Sequence, residues 1–317
     1  MASGVPKVSA LTACGALLFV AVLGWASLAV ARPAAGETCA GKKATVVGTP
    51  GNDVLTGTSK PDVIAGLGGN DTIRGLAGDD LLCGGTGNDK LHGGLGADRL
   101  DGGAGNDALD GGTGNEDVAV FLDAPRGVTA NTAGATGFGA DTHTGIEDLY
   151  GSAFADHLTG SPGSNLLDGR EGDDRLQGGG GNDYFDGDAG NDVIEGGAGF
   201  DLVYYDFAPR PVSVDLGRRL ATGWGTDRLL GVEDIDGSKY GDKLTGDRAG
   251  NIIQGAGGND VISGGPGKDK LKGGVGADSI DGGGGDDKLT GGPGKDTLNG
   301  GAGKDVCLSG EKNTDCP

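Results

Sequence analysis

Residues 84–103 read GGTGNDKLHGGLGADRLDGG. An aspartate, Asp89 or Asp98, returns after nine residues, and Leu91 or Leu100 follows two places later. The spacing extends in both directions. Between Gly48 and Leu308 the chain yields 22 nine-residue units in three blocks, beginning at Gly48, Gly151 and Gly237. With each unit numbered from its first glycine, position six is aspartate in all but two, where Asn165 and Asn251 stand. One unit, GGTGNEDVA, carries an extra residue ahead of Asp117. Position eight is apolar throughout, as at Leu55, Ile64, Ile73 and Leu82. Carboxylates repeated at a fixed interval are a ligand set for a hard, oxygen-seeking cation such as calcium.

The elements that position those carboxylates follow from the same nine residues. Positions seven to nine alternate out–in–out, which makes a very short half-buried strand. The first six are rich in Gly, Asn and Asp, the turn formers that tolerate positive φ. Two units then form one coil of turn, strand, turn, strand. Stacked coils give two parallel sheets with the position-eight side chains between them. The expected fold is all-β, a parallel β-roll.

In such a stack the neighbour of each aspartate lies 18 residues away. Asp89 faces Asp71 and Asp107, and Asp98 faces Asp80. Adjacent rungs of a sheet are ~4.8 Å apart, and calcium binds oxygen at ~2.3–2.6 Å. One ion between two coils can therefore take a carboxylate from each, with turn carbonyls completing its shell. Magnesium fits less well, because it demands strict octahedral geometry and keeps its waters. Without a cation, two charges ~4.8 Å apart repel by ~1 kcal/mol in water and ~3.5 kcal/mol at an effective dielectric of 20. The roll is expected to fold with calcium and to be largely unfolded without it.

Composition supports the repeat over the alternatives. Glycine accounts for 72 of 317 residues and aromatics for 4%, too little bulk for an ordinary globular core. Collagen needs glycine at every third residue with abundant proline, and 11 prolines without that period exclude it. Disorder predicts no strict apolar spacing. The net charge of −21 argues against a nucleic-acid partner, which requires a basic surface. Most of that charge lies before residue 237, since residues 237–317 hold 12 acids against 10 bases.

The units resemble the repeat-in-toxin (RTX) nonapeptide, GGxGxDxUx with U large and apolar, over about residues 48–308. The resemblance implies a parallel β-roll with calcium between turns, held by position-six aspartates and glycine-turn carbonyls. Carried over by position, the ligands are Asp71, Asp80, Asp89, Asp98, Asp107, Asp117, Asp156, Asp174, Asp183, Asp192 and Asp201, then Asp242, Asp260, Asp269, Asp278, Asp287, Asp296 and Asp305. Asp53 and Asp62 are weaker candidates, because their units lack the paired glycines. Sites beside Asn165 and Asn251 should also be weaker. The whole is similar to the stand-alone secreted calcium-binding proteins of bacteria.

No enzyme is expected. The chain has three histidines and no HExxH or GxSxG, and no unrepeated segment is long enough for a catalytic domain. Two related segments, 118–150 and 205–236, interrupt the register and read as hairpin-like inserts. At that size they are too small to hold a core alone. Phe138 and Trp224 occupy matching places in TGFGAD and TGWGTD. They are expected to pack back onto the roll. The alternative is that they stack on a sugar from a Gly-flanked tip, which would make the chain a polysaccharide-binding module working with a separate enzyme. Lys268, Lys270, Lys272, Lys288, Lys295 and Lys304 lie between the aspartates of the third block. They form either a solvated face or a contact for anionic wall or matrix polymer.

The ends complete the organisation. Residues 1–31 have one charge, Lys7, an apolar run and the small residues Ala29-Val30-Ala31, which read as a secretory signal peptide. An uncleaved anchor is the alternative, and this segment is the only expected contact with a membrane. Residues 32–47 form an N-terminal cap. The repeat blocks are 48–117, 151–204 and 237–308, and 309–317 is a C-terminal cap. Cys39 and Cys83 flank the start of the array and Cys307 and Cys316 its end, so the simplest pairing staples each end locally. The chain is therefore expected to be an extracellular calcium-binding repeat protein of structural or adhesive type.

Overall fold

A computed structural model describes residues 38–114 and 116–316. The signal-peptide reading of 1–31 lies outside the described residues. Among the described residues every regular element is a strand, and none forms a helix able to cross a membrane. Most strands are only three to six residues long, because glycine ends the alternation soon after position nine.

The strands form two large sheets. In one sheet, 14 strands run from Val46–Val47 to Val306–Leu308. The other starts at Val54–Thr56 and ends at Lys312–Thr314. Its pairings follow one line, and none joins those two end strands, so it is an open sheet of 18 strands. Successive units alternate between the sheets. Leu91 pairs in register with Ile73 and Leu109 in one sheet, while Leu100 pairs with Leu82 in the other. The expected 18-residue coil is thus the structural repeat.

Position eight fills the space between the sheets. Ile73, Leu91, Leu100, Leu167, Leu176 and Leu289 are among the fully buried side chains. Phe185 is the largest of them, at 0% exposure between Leu167 and Val203. Each coil contributes one such side chain from each sheet, so it is stabilised by its two neighbours and little else.

The inserts continue the roll instead of leaving it. Each supplies the expected hairpin plus a third strand. In the first, Thr129–Asn131, Gly134–Thr136 and Ala140–Thr144 pair antiparallel in order. The outer two then pair parallel with His157–Thr159 and with Ala108–Thr113. The second repeats this with Ser213–Asp215, Leu220–Thr222 and Thr226–Leu230. The two hairpins account for the four extra strands of the larger sheet. Phe138 and Trp224 sit in the Gly-flanked hairpin turns that join the second and third strands of each insert. From those turns they fold back and pack, partly buried, against the core, as the packing expectation had it.

Both ends are closed. Thr38–Cys39 and Lys42–Lys43 form a small antiparallel pair, and Cys39 is buried with Ala65 and Leu81. Disulfides join Cys39 to Cys83 and Cys307 to Cys316, the local pairing that the spacing suggested. Such caps cover coils that would otherwise offer an unpaired sheet edge.

Candidate metal centre

The turns stack the position-six side chains in two columns, one along each edge of the roll. Within a column each aspartate staples its coil to the next. Its Oδ1 accepts the backbone N–H of the aspartate 18 residues earlier. Asp71 N–H donates to Asp89 at 2.7 Å, Asp89 to Asp107 at 2.8 Å, and Asp80 to Asp98 at 2.8 Å. The pairing at 18 residues is as the coil length requires. One oxygen of each carboxylate is therefore already committed to the fold.

The other oxygen is not. In sixteen aspartates Oδ2 is buried with no hydrogen-bond partner, as in Asp71, Asp98, Asp183, Asp201, Asp269 and Asp305. A buried, unpaired carboxylate oxygen costs several kcal/mol unless a ligand satisfies it. The space it faces lies over the first glycine of its own unit. A Cβ on Gly282 would fall 2.7 Å from Asp287 Oδ2 and 2.5 Å from the carbonyl oxygen of Gly300 in the next coil. Only glycine leaves that space open. A carboxylate oxygen and a carbonyl oxygen of adjacent coils thus lie close together over that glycine, the kind of oxygen ligand calcium takes. The donor set is all oxygen, and it fits calcium.

No three His, Cys, Asp or Glu side chains gather into a metal-sized group among the described residues. Any ion in these turns must therefore draw much of its shell from backbone carbonyls, as expected of glycine turns. The histidines take no part. His92 contacts Asp110 on the surface and His157 contacts Gln177, while His143 is buried at a position-eight site beside Phe121.

Four position-six aspartates stand apart. Thr49 N–H and Oγ1–H both donate to Asp53 Oδ2, at 2.6 and 2.8 Å. Thr58 closes Asp62 in the same way, at 2.6 and 2.9 Å. In both, the turn's own threonine takes up the oxygen that is free elsewhere. Asp156 and Asp242, which the motif placed with the full ligands, are closed by Ser152 and Ser238, whose N–H groups lie 2.5 Å from Oδ2. Their other oxygens accept from Val128 and Val212 of the inserts, at 2.6 and 2.8 Å. Neither has a free oxygen to offer, so both leave the ligand set proposed below.

The two asparagines have a reason to be there. Asn165 Nδ2 donates to the Glu147 carbonyl at 2.6 Å, and Asn251 Nδ2 to the Glu233 carbonyl at 2.7 Å. An ionised aspartate has no proton to give.

Four acids of the columns were not singled out from the sequence. Asp107 N–H donates to Asp141 at 2.9 Å, and Asp192 N–H to Asp227 at 3.3 Å. Glu147 and Glu233 likewise accept from Asp117 and Asp201. A signal was present. TGFGADTHT and TGWGTDRLL are nine-residue units with threonine in place of the first glycine.

The profile of the RTX calcium-binding nonapeptide repeat matches residues 47–82, 84–115, 141–176, 168–203, 236–271, 245–280 and 272–307. These matches span well over half of the chain. The chain belongs to the RTX calcium-binding repeat family. The RTX match resumes at residue 141, within the first insert, where Asp141 rejoins the column. No curated protein matches the chain.

Electrostatics of the RTX columns follow from burial. Burial pushes Asp174 up to about 8 and Asp183, Asp192 and Asp260 to about 7. In each, a backbone N–H from the adjacent coil pulls the other way, and neighbouring carboxylates add to the rise. Asp80, Asp89, Asp98 and Asp107 rise to about 6, again chiefly through burial. A carboxyl whose folded-state pKa exceeds its unfolded value binds its proton more tightly when folded. The calcium-free fold should therefore gain stability as pH falls from about 8 towards 4. In chelator, circular dichroism should show more β structure at pH 5 than at pH 8. A signal that is flat or declining over that range would contradict the burial of these groups.

Proposed function

We propose that the chain is an extracellular scaffold that calcium switches from a loose, self-repelling coil to a rigid roll. The free Oδ2 column carries this reading. It supplies sixteen ligands at regular intervals within the three blocks, and nothing else of comparable extent among the described residues is built for chemistry. The proposed ligands are the sixteen position-six aspartates with an unpartnered Oδ2, together with carbonyls of the first glycines. Extracellular calcium modules typically bind at ~10⁻⁴–10⁻³ M, so weak and numerous sites suit that compartment. The two disulfides favour the same location, because such bonds persist outside the reducing cytosol. The reading includes export by residues 1–31 and no catalytic activity of the chain's own.

Its role would be structural or adhesive. Lys270 and Lys288 are adjacent and exposed on the outer face of the 14-stranded sheet, and Lys272 lies beside them. With calcium neutralising the aspartates, this end presents positive charge suited to anionic wall or matrix polymer. The packing of Phe138 and Trp224 against the core weighs against a sugar-stacking role for them. The experiment is sedimentation of calcium-loaded protein with the envelope of its own cells. Binding should be released by chelator, weakened by salt and weakened by Lys270→Glu with Lys288→Glu. Absence of binding, or binding indifferent to salt, would overturn the adhesive role.

A further inference from the structure

We infer that the second residue of each unit decides whether its turn takes calcium, so that every block opens with one coil that needs none. The inference rests on calcium being the ligand of the free carboxylates.

In the sixteen units with an unpartnered Oδ2, position two is left-handed without exception. The φ angle is 79° at Leu67, 105° at Gly85, 102° at Gly179 and 97° at Gly283. The other six units have Thr49, Thr58, Ser152, Ser161, Ser238 and Asp247 at position two, and none of these has positive φ. In all six the position-two N–H donates to the position-six side chain. The distances include 2.6 Å for Thr49 and Ser161 and 2.9 Å for Asp247. One backbone torsion thus separates an open turn from one closed by its own N–H.

Glycine does not dictate the open state. Leu67, Leu76, Arg170, Asp188 and Ala256 are left-handed there too, with φ from 54° to 86°. Such a residue costs ~1–2 kcal/mol in that conformation. Among the second residues of the 22 units, this strain occurs only where the carboxylate is free, and strain retained in that pattern points to function. Asn165 and Asn251, the two units without a position-six aspartate, both fall in the closed class.

The closed units are not scattered. They are 48–65, 151–168 and 237–254, the first two units of each block. Each pair supplies one strand to each sheet and makes one complete coil. Each also donates to the first open coil, as Asp156 N–H does to Asp174 at 2.7 Å. The second and third closed coils lie directly against an insert. In the second insert, Asp227 is closed as well, by the Tyr205 hydroxyl at 3.2 Å. Cation-free partitions therefore divide the array into three open stretches, 66–117, 169–204 and 255–308.

The test is equilibrium dialysis of the full chain against calcium alone, counting ions bound per chain. Asp156→Asn with Asp242→Asn should leave the count unchanged. Asparagine is already accommodated in closed turns, so folding should survive. Asp183→Asn with Asp192→Asn should lower the count by at least one. Ser152→Gly with Ser238→Gly should raise it, by freeing two carboxylates. The inference is overturned if the first pair loses as much calcium as the second, or if the glycine pair gains none. A wild-type chain that binds no calcium would instead sink the calcium reading itself.

Discussion

In excess chelator at neutral pH, the protein should lose most of its β signal and expand, and added calcium should restore both. This is the largest effect expected of the chain. Sixteen buried carboxylate oxygens have no hydrogen-bond partner, and none of the ion pairs among the described residues involves them. Adjacent column charges repel by ~1–3.5 kcal/mol per pair, depending on the local dielectric. Glycine makes the contrast sharper. It loses more conformational freedom on folding than any other residue, and most of the 72 glycines lie in the described roll and must be ordered. The opposing core is thin, with one position-eight side chain from each sheet per coil. Small-angle scattering in chelator should report an expanded chain. A compact particle there would mean that the ladder alone suffices.

The second large effect is in that ladder. Phe185→Ala should destabilise the calcium-loaded protein by about 3–5 kcal/mol, the usual range for deleting a buried phenylalanine. Phe185 has no exposed surface and stands in the position-eight row between Leu167 and Val203. Its loss leaves a cavity that neighbours fixed by sheet pairing cannot fill. Because coils contact only their neighbours, the damage should be local, with the stretch 169–204 melting ahead of the others. Phe200, at 64% exposure, is the control. Phe200→Ala should stay within about 0.5 kcal/mol. Denaturant unfolding at saturating calcium reads both. Equal effects of the two substitutions would contradict the packing described.

Much of this was legible in the sequence, for a physical reason. The pleat of a strand and the tightness of a glycine turn act within nine residues, so position six and position eight could be read without knowing the fold. The coil of 18 residues, the column partners of Asp89 and the local disulfides followed from them. What escaped depends on contacts that local pattern does not encode. Asp141 and Asp227 rejoin the columns only because the inserts fold back 34 and 35 residues later. Asn165 looks like a defect until the Glu147 carbonyl is seen beside it. The closure of Asp156 turns on the torsion at Ser152, where the motif registers only the loss of one glycine. Serine at position two was visible throughout, but its meaning needed the oxygen it closes.

The central claim is that occupancy of the free column is what folds the chain. It is tested most directly by measuring bound calcium and far-ultraviolet circular dichroism on the same samples across one titration at pH 7.5. The account predicts a weak β signal at zero calcium, rising in step with ions bound and levelling when binding saturates. A full β signal in chelator, or calcium bound with no change in that signal, would contradict it.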